Sequence, residues 1–194
     1  SGTTASNKTY DGTTTATIDT TIFIKTGLVV NDTVNVSATG VFNNKNVGNA
    51  KTVTLTSSYA GLDAGNYNIT NQTATTANVT PRTLAVTAVA NDKTYDTTRT
   101  ATYVLSSDQV VGDTLTLAAS SALFDTKHAG VGKAVTISGI AVTGTDAGNY
   151  TLQNGSTTTA ATVNKADLNI TGITANNKTY DGDTTTTLSG TAAI

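Results

Sequence analysis

The sequence predicts an all-β protein made of tandem small modules, each a β-sandwich or a β-grasp-like sheet, arranged as a rod. The first observation behind this prediction is a motif, Lys-Thr-Tyr-Asp, that occurs at Lys8–Asp11, Lys93–Asp96 and Lys178–Asp181. The three copies start 85 residues apart (93 − 8 and 178 − 93). A fixed period is the signature of a chain built from copies of one unit. The other two observations are a composition that favours strands and apolar residues that alternate with polar ones.

The composition favours strands and argues against several classes of function. Thr supplies 46 of the 194 residues, while Cys, Met, Trp and Glu are absent. Thr and Val suit a pleated, half-buried backbone, and a hydrophobic content of 37% is enough for a core. The net charge of −2 comes without clustered Lys or Arg, which argues against nucleic acid as a partner. No run of 18 apolar residues occurs, so the sequence predicts no membrane insertion by this segment.

Apolar residues spaced by two positions predict strands with one inward face. Such pairs are Ile22-x-Ile24, Val53-x-Leu55, Leu84-x-Val86 and Leu115-x-Leu117. Gly139 shifts the phase between two pairs of this kind and marks the place for a β-bulge. Asn154-Gly155 has the composition of a two-residue hairpin turn.

Two aromatic residues, Phe42 and Phe124, occupy the same position in the repeat, as do Val53 and Val135. We therefore expect all four side chains to be buried in the cores of their modules.

The repeat divides the chain into three parts. Residues 1–80 form module 1, whose opening strand we expect to be missing, and residues 81–164 form a complete module 2. Residues 165–194 start a third repeat, and we expect residues 168–175 to pack against module 2 as a shared strand or an edge. The single proline, Pro81, stands at the first boundary. Only a few residues separate the strands on its two sides, which favours a stiff connection over a flexible tether.

Further landmarks recur in the same register as the Lys-Thr-Tyr-Asp motif. They are Lys8–Thr14, Asp32 and Gly112-Asp113, Phe42–Thr54 and Phe124–Thr136, and Asp63–Ile69 and Asp146–Leu152. In this order they resemble the YDG modules of large bacterial surface adhesins of the filamentous haemagglutinin type, and the resemblance covers essentially the whole chain. The chain departs from the family pattern where Thr97 replaces a Gly, where Ala129 replaces a Val, and where Asn164-Lys165 replaces Thr-Pro.

The resemblance implies a function and a location. It implies export by a Gram-negative bacterium, display at the cell surface or release, and a stalk or spacer role without catalytic activity. The partners implied are neighbouring repeats of the same chain, with host or matrix glycans as further partners. The alternative function is a glycan- or surface-binding module that acts through repetition, for example in a biofilm matrix.

The residues that could carry chemistry do not form a recognisable site. His128 is the only histidine and aligns with Asn46, so a catalytic triad or a zinc site has no support. The recurrent aspartates, with Asp181-Gly182-Asp183 as the best local candidate for calcium, are better explained as turn residues that accept backbone hydrogen bonds. We therefore assign no catalytic, cofactor-binding or metal-binding residue and expect no cofactor.

Two further sets of side chains have alternative explanations. The recurrent tyrosines fit core anchors with a hydroxyl at the rim better than an exposed platform for sugars. Their members are Tyr10, Tyr95, Tyr180, Tyr67 and Tyr150. The repeated lysine of the motif, Lys8 in its first copy, is a weak candidate for an isopeptide bond with an asparagine.

Overall fold

A computed structural model of the chain describes residues 3–19 and 25–193, and in these residues the protein is nearly all β. The predicted all-β fold is confirmed. The two short helical segments are single 3₁₀ turns, Ala64–Asn66 and Ala147–Asn149. The predicted strand around Ile22-x-Ile24 lies outside the described residues.

Module 1 is organised around a five-stranded curled sheet. Its strands are β1 (Thr4–Ala5), β2 (Lys8–Thr9), β3 (Thr15–Ala16), β4 (Ile18–Asp19), β5 (Asn35–Phe42), β6 (Gly48–Ala60) and β7 (Ala74–Thr80). The sheet order is β2-β7-β6-β5-β3, in which β2 and β7 run parallel and the other neighbours are antiparallel. Strands β1 and β4 pair separately.

Module 2 repeats this arrangement with ten strands, compared with the seven described in module 1. Its strands are β8 (Arg82–Leu84), β9 (Val86–Ala90), β10 (Lys93–Thr94), β11 (Tyr103–Ser107), β12 (Thr116–Ala118), β13 (Ser121–Phe124), β14 (Gly130–Ser138), β15 (Ala141–Thr143), β16 (Tyr150–Leu152) and β17 (Ser156–Asn164). The main sheet has the order β10-β17-β14-β13, and β9 pairs with β11, β12 with β15, and β8 in parallel with β16.

Each module has a core of its own, which is built from the inward-facing alternate residues of its main sheet. Val53 and Val135 are fully buried, and Phe42 and Phe124 are 2% and 0% exposed. The burial predicted for these four residues is confirmed. The motif lysines lie over the two Phe rings, with Nζ 5.5 and 5.6 Å from the ring centroids, so the loop of each module packs on its own core.

Two local predictions were wrong. Gly139, at φ +66°, does not form a bulge within a continuous strand. It follows the end of β14, and the next strand, β15, pairs with β12. The register shift lies instead at the start of β14, between Gly130 and Lys133. Asn154-Gly155 is not a hairpin turn, because β16 pairs with β8 while β17 pairs with β14 and β10. The Asn154 amide instead bonds to the backbone N–H and C=O of Val86.

The start of the third repeat forms only a local pair of strands, β18 (Thr174–Ala175) and β19 (Leu188–Ser189). Residues 164–193 are exposed, including Leu168 at 72% and Tyr180 at 93%. The expected packing of residues 168–175 against module 2 is therefore wrong. In module 2 the corresponding strands, β9 and β11, pack against the core around Phe124. Residues 165–193 contain no further sheet against which β18 and β19 could pack in the same way.

Candidate functional site at the junction between modules

The Lys-Thr-Tyr-Asp motif forms a braced loop in each module. In module 1, Lys8 Nζ lies 2.7 Å from Asp11 Oδ1 and donates to the carbonyl oxygens of Thr13 and Thr15, at 2.8 and 3.1 Å. Asp11 Oδ1 also accepts from the Thr13 backbone N–H at 2.9 Å, as in an Asx turn. The same contacts recur around Lys93 in module 2. The brace fixes the loop and with it the tyrosine between Lys and Asp.

Asp113 of module 2 accepts hydrogen bonds from side chains of both modules. Tyr10 OH lies 2.9 and 2.8 Å from its two carboxylate oxygens, and Tyr150 OH donates to Oδ2 at 2.6 Å. Lys45 Nζ lies 2.6 Å from Asp113 Oδ1 and 3.0 Å from Asp146 Oδ1. The rings of Tyr10 and Tyr150 meet edge to face, with centroids 5.5 Å apart. One buried carboxylate thus joins residues that are 103 positions apart in the chain.

The electrostatics of this cluster favour a charged, paired Asp113. Burial opposes its ionisation, but hydrogen bonds from Lys45, Tyr150 and Tyr10 outweigh burial and hold the pKa of Asp113 below its ordinary value. Burial and the bond to Asp113 raise the pKa of Tyr150 to about 12 and also raise the pKa of Tyr10. The bonds to Asp113 and Asp146 raise the pKa of Lys45. At neutral pH the cluster therefore holds one lysine cation, two carboxylates and two neutral phenols.

A second set of contacts lies beside the first. Asn149 is 5% exposed, and its Oδ1 accepts from the backbone N–H of Val47 at 3.0 Å. Its Nδ2 donates to Asn46 Oδ1 at 3.3 Å. Asn149 ends the 3₁₀ turn that follows Asp146, and Asp146 Oδ2 accepts from the Thr114 backbone N–H at 2.9 Å. Three side chains of the Asp-Ala-Gly-Asn-Tyr motif, those of Asp146, Asn149 and Tyr150, thus contact module 1.

The two modules also pack closely at Gly12 and Val110. Gly12 has φ +78°, and a Cβ built there would lie 2.7 Å from Val110 Cγ1 and 3.8 Å from Val110 Cβ. Only glycine adopts this backbone conformation at no steric cost and also leaves room for the valine. The corresponding residue of module 2, Thr97, has φ +69° in spite of its branched side chain.

We name the two surfaces of the junction by their charged residues. The lysine face of module 1 consists of Tyr10, Gly12, Lys45, Asn46 and Val47, and the aspartate face of module 2 consists of Val110, Asp113, Asp146, Asn149 and Tyr150. Each face has a counterpart in the other module. The counterpart of the lysine face is Tyr95, Thr97, Lys127, His128 and Ala129, and that of the aspartate face is Val29, Asp32, Asp63, Asn66 and Tyr67.

The structure distributes the residues singled out in the sequence among turns, cores and the junction. Asp11, Asp96 and Asp181 accept backbone N–H groups in turns, as predicted. His128 is exposed, and Lys8 binds Asp11 and threonine oxygens rather than an asparagine.

The tyrosines divide into three environments. Tyr10 is a core anchor, 1% exposed, with its hydroxyl at the junction, as predicted. Tyr67, Tyr95 and Tyr150 are half-buried, and Tyr180 is exposed.

Sequence reasoning missed that Asp113, Lys45 and Asn149 meet. The turn explanation holds for Asp146, which binds the Thr114 N–H, but Asp113 is the centre of an intermodule cluster. Each of these residues has a counterpart at the aligned position, which was the available signal. That signal marks the residues as part of the repeat, but it does not show which face of one module meets which face of the next.

Module 1 also carries an open groove of about 470 Å³, lined by Val34, Tyr59, Tyr67, Ile69 and Asn71 among others.

Across residues 3–19 and 25–193, no three His, Cys, Asp or Glu side chains lie close enough together to hold a metal ion. In the same residues no helix is long and apolar enough to span a membrane.

Comparison with known proteins identifies the repeat. The family profile of the YDG domain matches residues 1–76 and again residues 80–160. Since these two stretches cover most of the chain, the protein belongs to the YDG domain family as a tandem repeat. No curated protein and no solved structure matches the chain.

Proposed function

We propose that this YDG chain is a non-enzymatic structural repeat of a bacterial cell-surface or secreted adhesin, a stalk or spacer that projects a distal adhesive region. One observation carries the proposal: the residues that define the repeat make contacts between modules. Tyr10, Asp113 and Tyr150 bind one another across the junction. In a catalytic module, such titratable groups would instead converge on a cavity that admits a substrate.

The short connection between the modules supports a rod-like arrangement. Strand β7 ends at Thr80 and β8 begins at Arg82, so Pro81 alone separates them. Proline fixes its own φ and restricts the residue before it. Together with the hydrogen bonds of Asp113 and Asn149, this connection restrains the angle between neighbouring modules. A stalk needs such restraint in order to keep its length.

Small-angle X-ray scattering tests the spacer proposal in solution. The chain should give one maximum dimension, and the double variant Lys45→Ala/Asp113→Ala should give a broader distribution of distances because the modules reorient. Asp32→Ala, at the counterpart position outside the junction, serves as the matched control and should scatter like the unmodified chain. Equal scattering by all three proteins would count against a restrained stalk.

Location at the Gram-negative outer surface is part of the same proposal and rests on the likeness to filamentous haemagglutinin-type adhesins. Antibodies raised against this chain should label intact cells of the source bacterium or its culture medium. Signal confined to the cytoplasm of lysed cells would contradict this part of the proposal.

The alternative function, binding of a glycan or a surface, is favoured by the groove of module 1. Tyr59 and Tyr67 line it beside polar side chains such as Asn71, a composition that suits a sugar. A glycan array or a pull-down from biofilm matrix separates the two proposals. Reproducible binding by this chain that is lost in Tyr59→Ala would favour the alternative, and no binding at high protein concentration favours the spacer.

A further inference from the structure

We propose that each repeat resists stretching through a mechanical clamp, formed where the first strands of the module run parallel to its last strands. In module 2, where the structure describes every residue, the entry segment is residues 82–94, with β8, β9 and β10. The exit segment is residues 150–164, with β16 and β17. The inference adds a mechanical function to the module and does not depend on the adhesin role.

The entry and exit segments form two hydrogen-bonded strand pairs with each other, and both pairs are parallel. Strand β8 pairs with β16 over three residues, and β10 pairs with β17 over two. The other strand pairs within residues 82–164 are antiparallel. The parallel pairing in module 2 is therefore confined to the two places where its entry segment meets its exit segment.

The direction of these strands decides how a pull acts on them. A chain stretched from its two ends pulls the entry segment toward its N-terminal end and the exit segment toward its C-terminal end. In a parallel pair these two pulls act in opposite directions along the strands, so the strands must slide lengthwise past each other. The hydrogen bonds run across the strands and are loaded together. In an antiparallel pair the same two pulls would act at one end of the pair, and the bonds would break one after another.

Further hydrogen bonds extend the first parallel pair beyond its strands. The Gln153 backbone N–H donates to the Leu84 carbonyl oxygen at 2.9 Å. The Asn154 amide continues the ladder, because its Oδ1 accepts from the Val86 N–H at 3.2 Å and its Nδ2 donates to the Val86 carbonyl oxygen at 3.0 Å. Leu84 and Val86 are 0% and 3% exposed, so sliding of this segment would also draw core side chains into water.

The second parallel pair is extended at both of its ends. The Tyr95 backbone N–H donates to the Asn164 carbonyl oxygen at 2.9 Å. Before the pair, Asp92 Oδ1 accepts from the Thr162 backbone N–H at 2.6 Å. Val163 is 1% exposed and pairs on its other side with Gly130 of β14. The exit strand is thus held on both sides at the point where a pull reaches it.

The second parallel pair recurs in module 1, which makes it a property of the repeat. Strands β2 and β7 pair in parallel, and the Tyr10 N–H donates to the Thr80 carbonyl oxygen at 2.9 Å. Asn7 takes the place of Asp92, since its Oδ1 accepts from the Asn78 N–H at 2.7 Å. Asn7 and Asp92 lie 85 residues apart (92 − 7), the period of the repeat.

Single-molecule force spectroscopy in two pulling directions tests the clamp. The chain contains no cysteine, so engineered cysteines alone set the points at which the molecule is held. Pro81→Cys/Lys165→Cys pulls module 2 from its two boundaries, the direction in which the parallel pairs slide. Ala129→Cys/Lys165→Cys pulls β14 from β17 at the end where these antiparallel strands pair through Gly130 and Val163. The three replaced residues are all exposed.

Module 2 should rupture at a force at least about twofold higher in the first direction than in the second, because its bonds are loaded together rather than in turn. Asn154→Ala should lower the rupture force in the first direction and leave the second nearly unchanged. Asn91→Ala, which removes an amide bond to Thr102 outside the clamp, is the matched control and should change neither.

Equal rupture forces in the two directions would overturn the proposal. So would an Asn154→Ala variant whose rupture force falls by the same factor in both directions, because that is the result of a general loss of stability. Either outcome leaves the spacer proposal standing, since a spacer keeps its length through the junction whether or not its modules resist a load. Circular dichroism establishes that each variant is folded.

Discussion

The occupied junction and the two unoccupied copies of its faces contain the same motifs in different surroundings. Asp113 and Asn149 are 8% and 5% exposed, whereas Asp32 is half-buried and Asn66 is exposed. The hydrogen bonds within each face are nearly the same with and without a neighbour. The comparison shows that each module prepares its two faces alone. A neighbour adds burial and the bonds that cross between modules.

The largest effect is expected where the two modules do not differ. Phe42→Ala and Phe124→Ala should each lower the free energy of unfolding by about 3–5 kcal/mol, because both rings are buried in a core. Calorimetry of each variant measures the loss. A loss below about 1 kcal/mol, the size typical of surface changes, would mean that the ring is not a core residue.

The next largest loss of stability should distinguish the aspartate face of module 2, which contacts module 1, from its counterpart in module 1. Asp113→Ala leaves two tyrosine hydroxyls and Lys45 without their shared acceptor and should cost about 2–3 kcal/mol of unfolding free energy. Asp32→Ala removes the acceptor of Tyr67 alone, at a partly exposed site, and should cost about 1 kcal/mol or less. Denaturant titration of both variants gives the two values. Equal losses would indicate that the neighbouring module adds nothing to the face.

The junction should weaken at both ends of the pH scale. The pKa of Asp113 is lowered in the folded chain, so its contribution is present above its ordinary value of 3.8 and is lost as pH falls through the lower folded value. The pKa of Tyr150 is raised, so its contribution is present below 10.0 and is lost as pH rises toward about 12. Thermal midpoints measured against pH test both limbs, with Asp113→Asn as control. A variant with the same acid limb as the unmodified chain would exclude Asp113 as its cause.

A smaller effect should come from the loop that differs between modules. Thr97 has φ +69°, a conformation that costs a branched residue roughly 1–2 kcal/mol. Thr97→Gly should therefore stabilise module 2 by about 1 kcal/mol after the entropy of the unfolded glycine is counted. At the corresponding position of module 1, Gly12→Ala should destabilise the chain, because the new Cβ adds backbone strain and a clash with Val110. Destabilisation by Thr97→Gly would contradict this account of the loop.

The sequence alone predicted much of the fold, because the features that specify it are local. The period of the motif gave the modules, and alternation gave the buried Phe42, Phe124, Val53 and Val135. The Asn154-Gly155 prediction was wrong for a physical reason. Its dipeptide fits a hairpin turn, but β16 pairs in parallel with β8, far away in sequence. Local turn chemistry carries no information on such pairing.

The candidate site was less predictable than the fold. The aspartates were interpreted as turn residues, which is right for Asp11 and Asp96 and incomplete for Asp113. A carboxylate in a turn and a carboxylate that also binds the next module have the same sequence pattern. The difference depends on which faces meet, and that follows from the one-residue connection at Pro81 and from shape rather than from any motif.

The central claim, that the repeat motifs build a fixed junction between modules, is tested most directly by a disulfide across it. In Gly12→Cys/Val110→Cys the two Cβ atoms should lie 3.8 Å apart, and replacing Val110 also removes the methyl that would meet the new Cβ. We expect this pair to oxidise nearly completely in the folded chain, while Thr97→Cys/Val110→Cys, its counterpart in the other loop, stays reduced within the chain. If both pairs keep free, alkylatable thiols in the folded protein, the two modules do not hold this junction and the account is wrong.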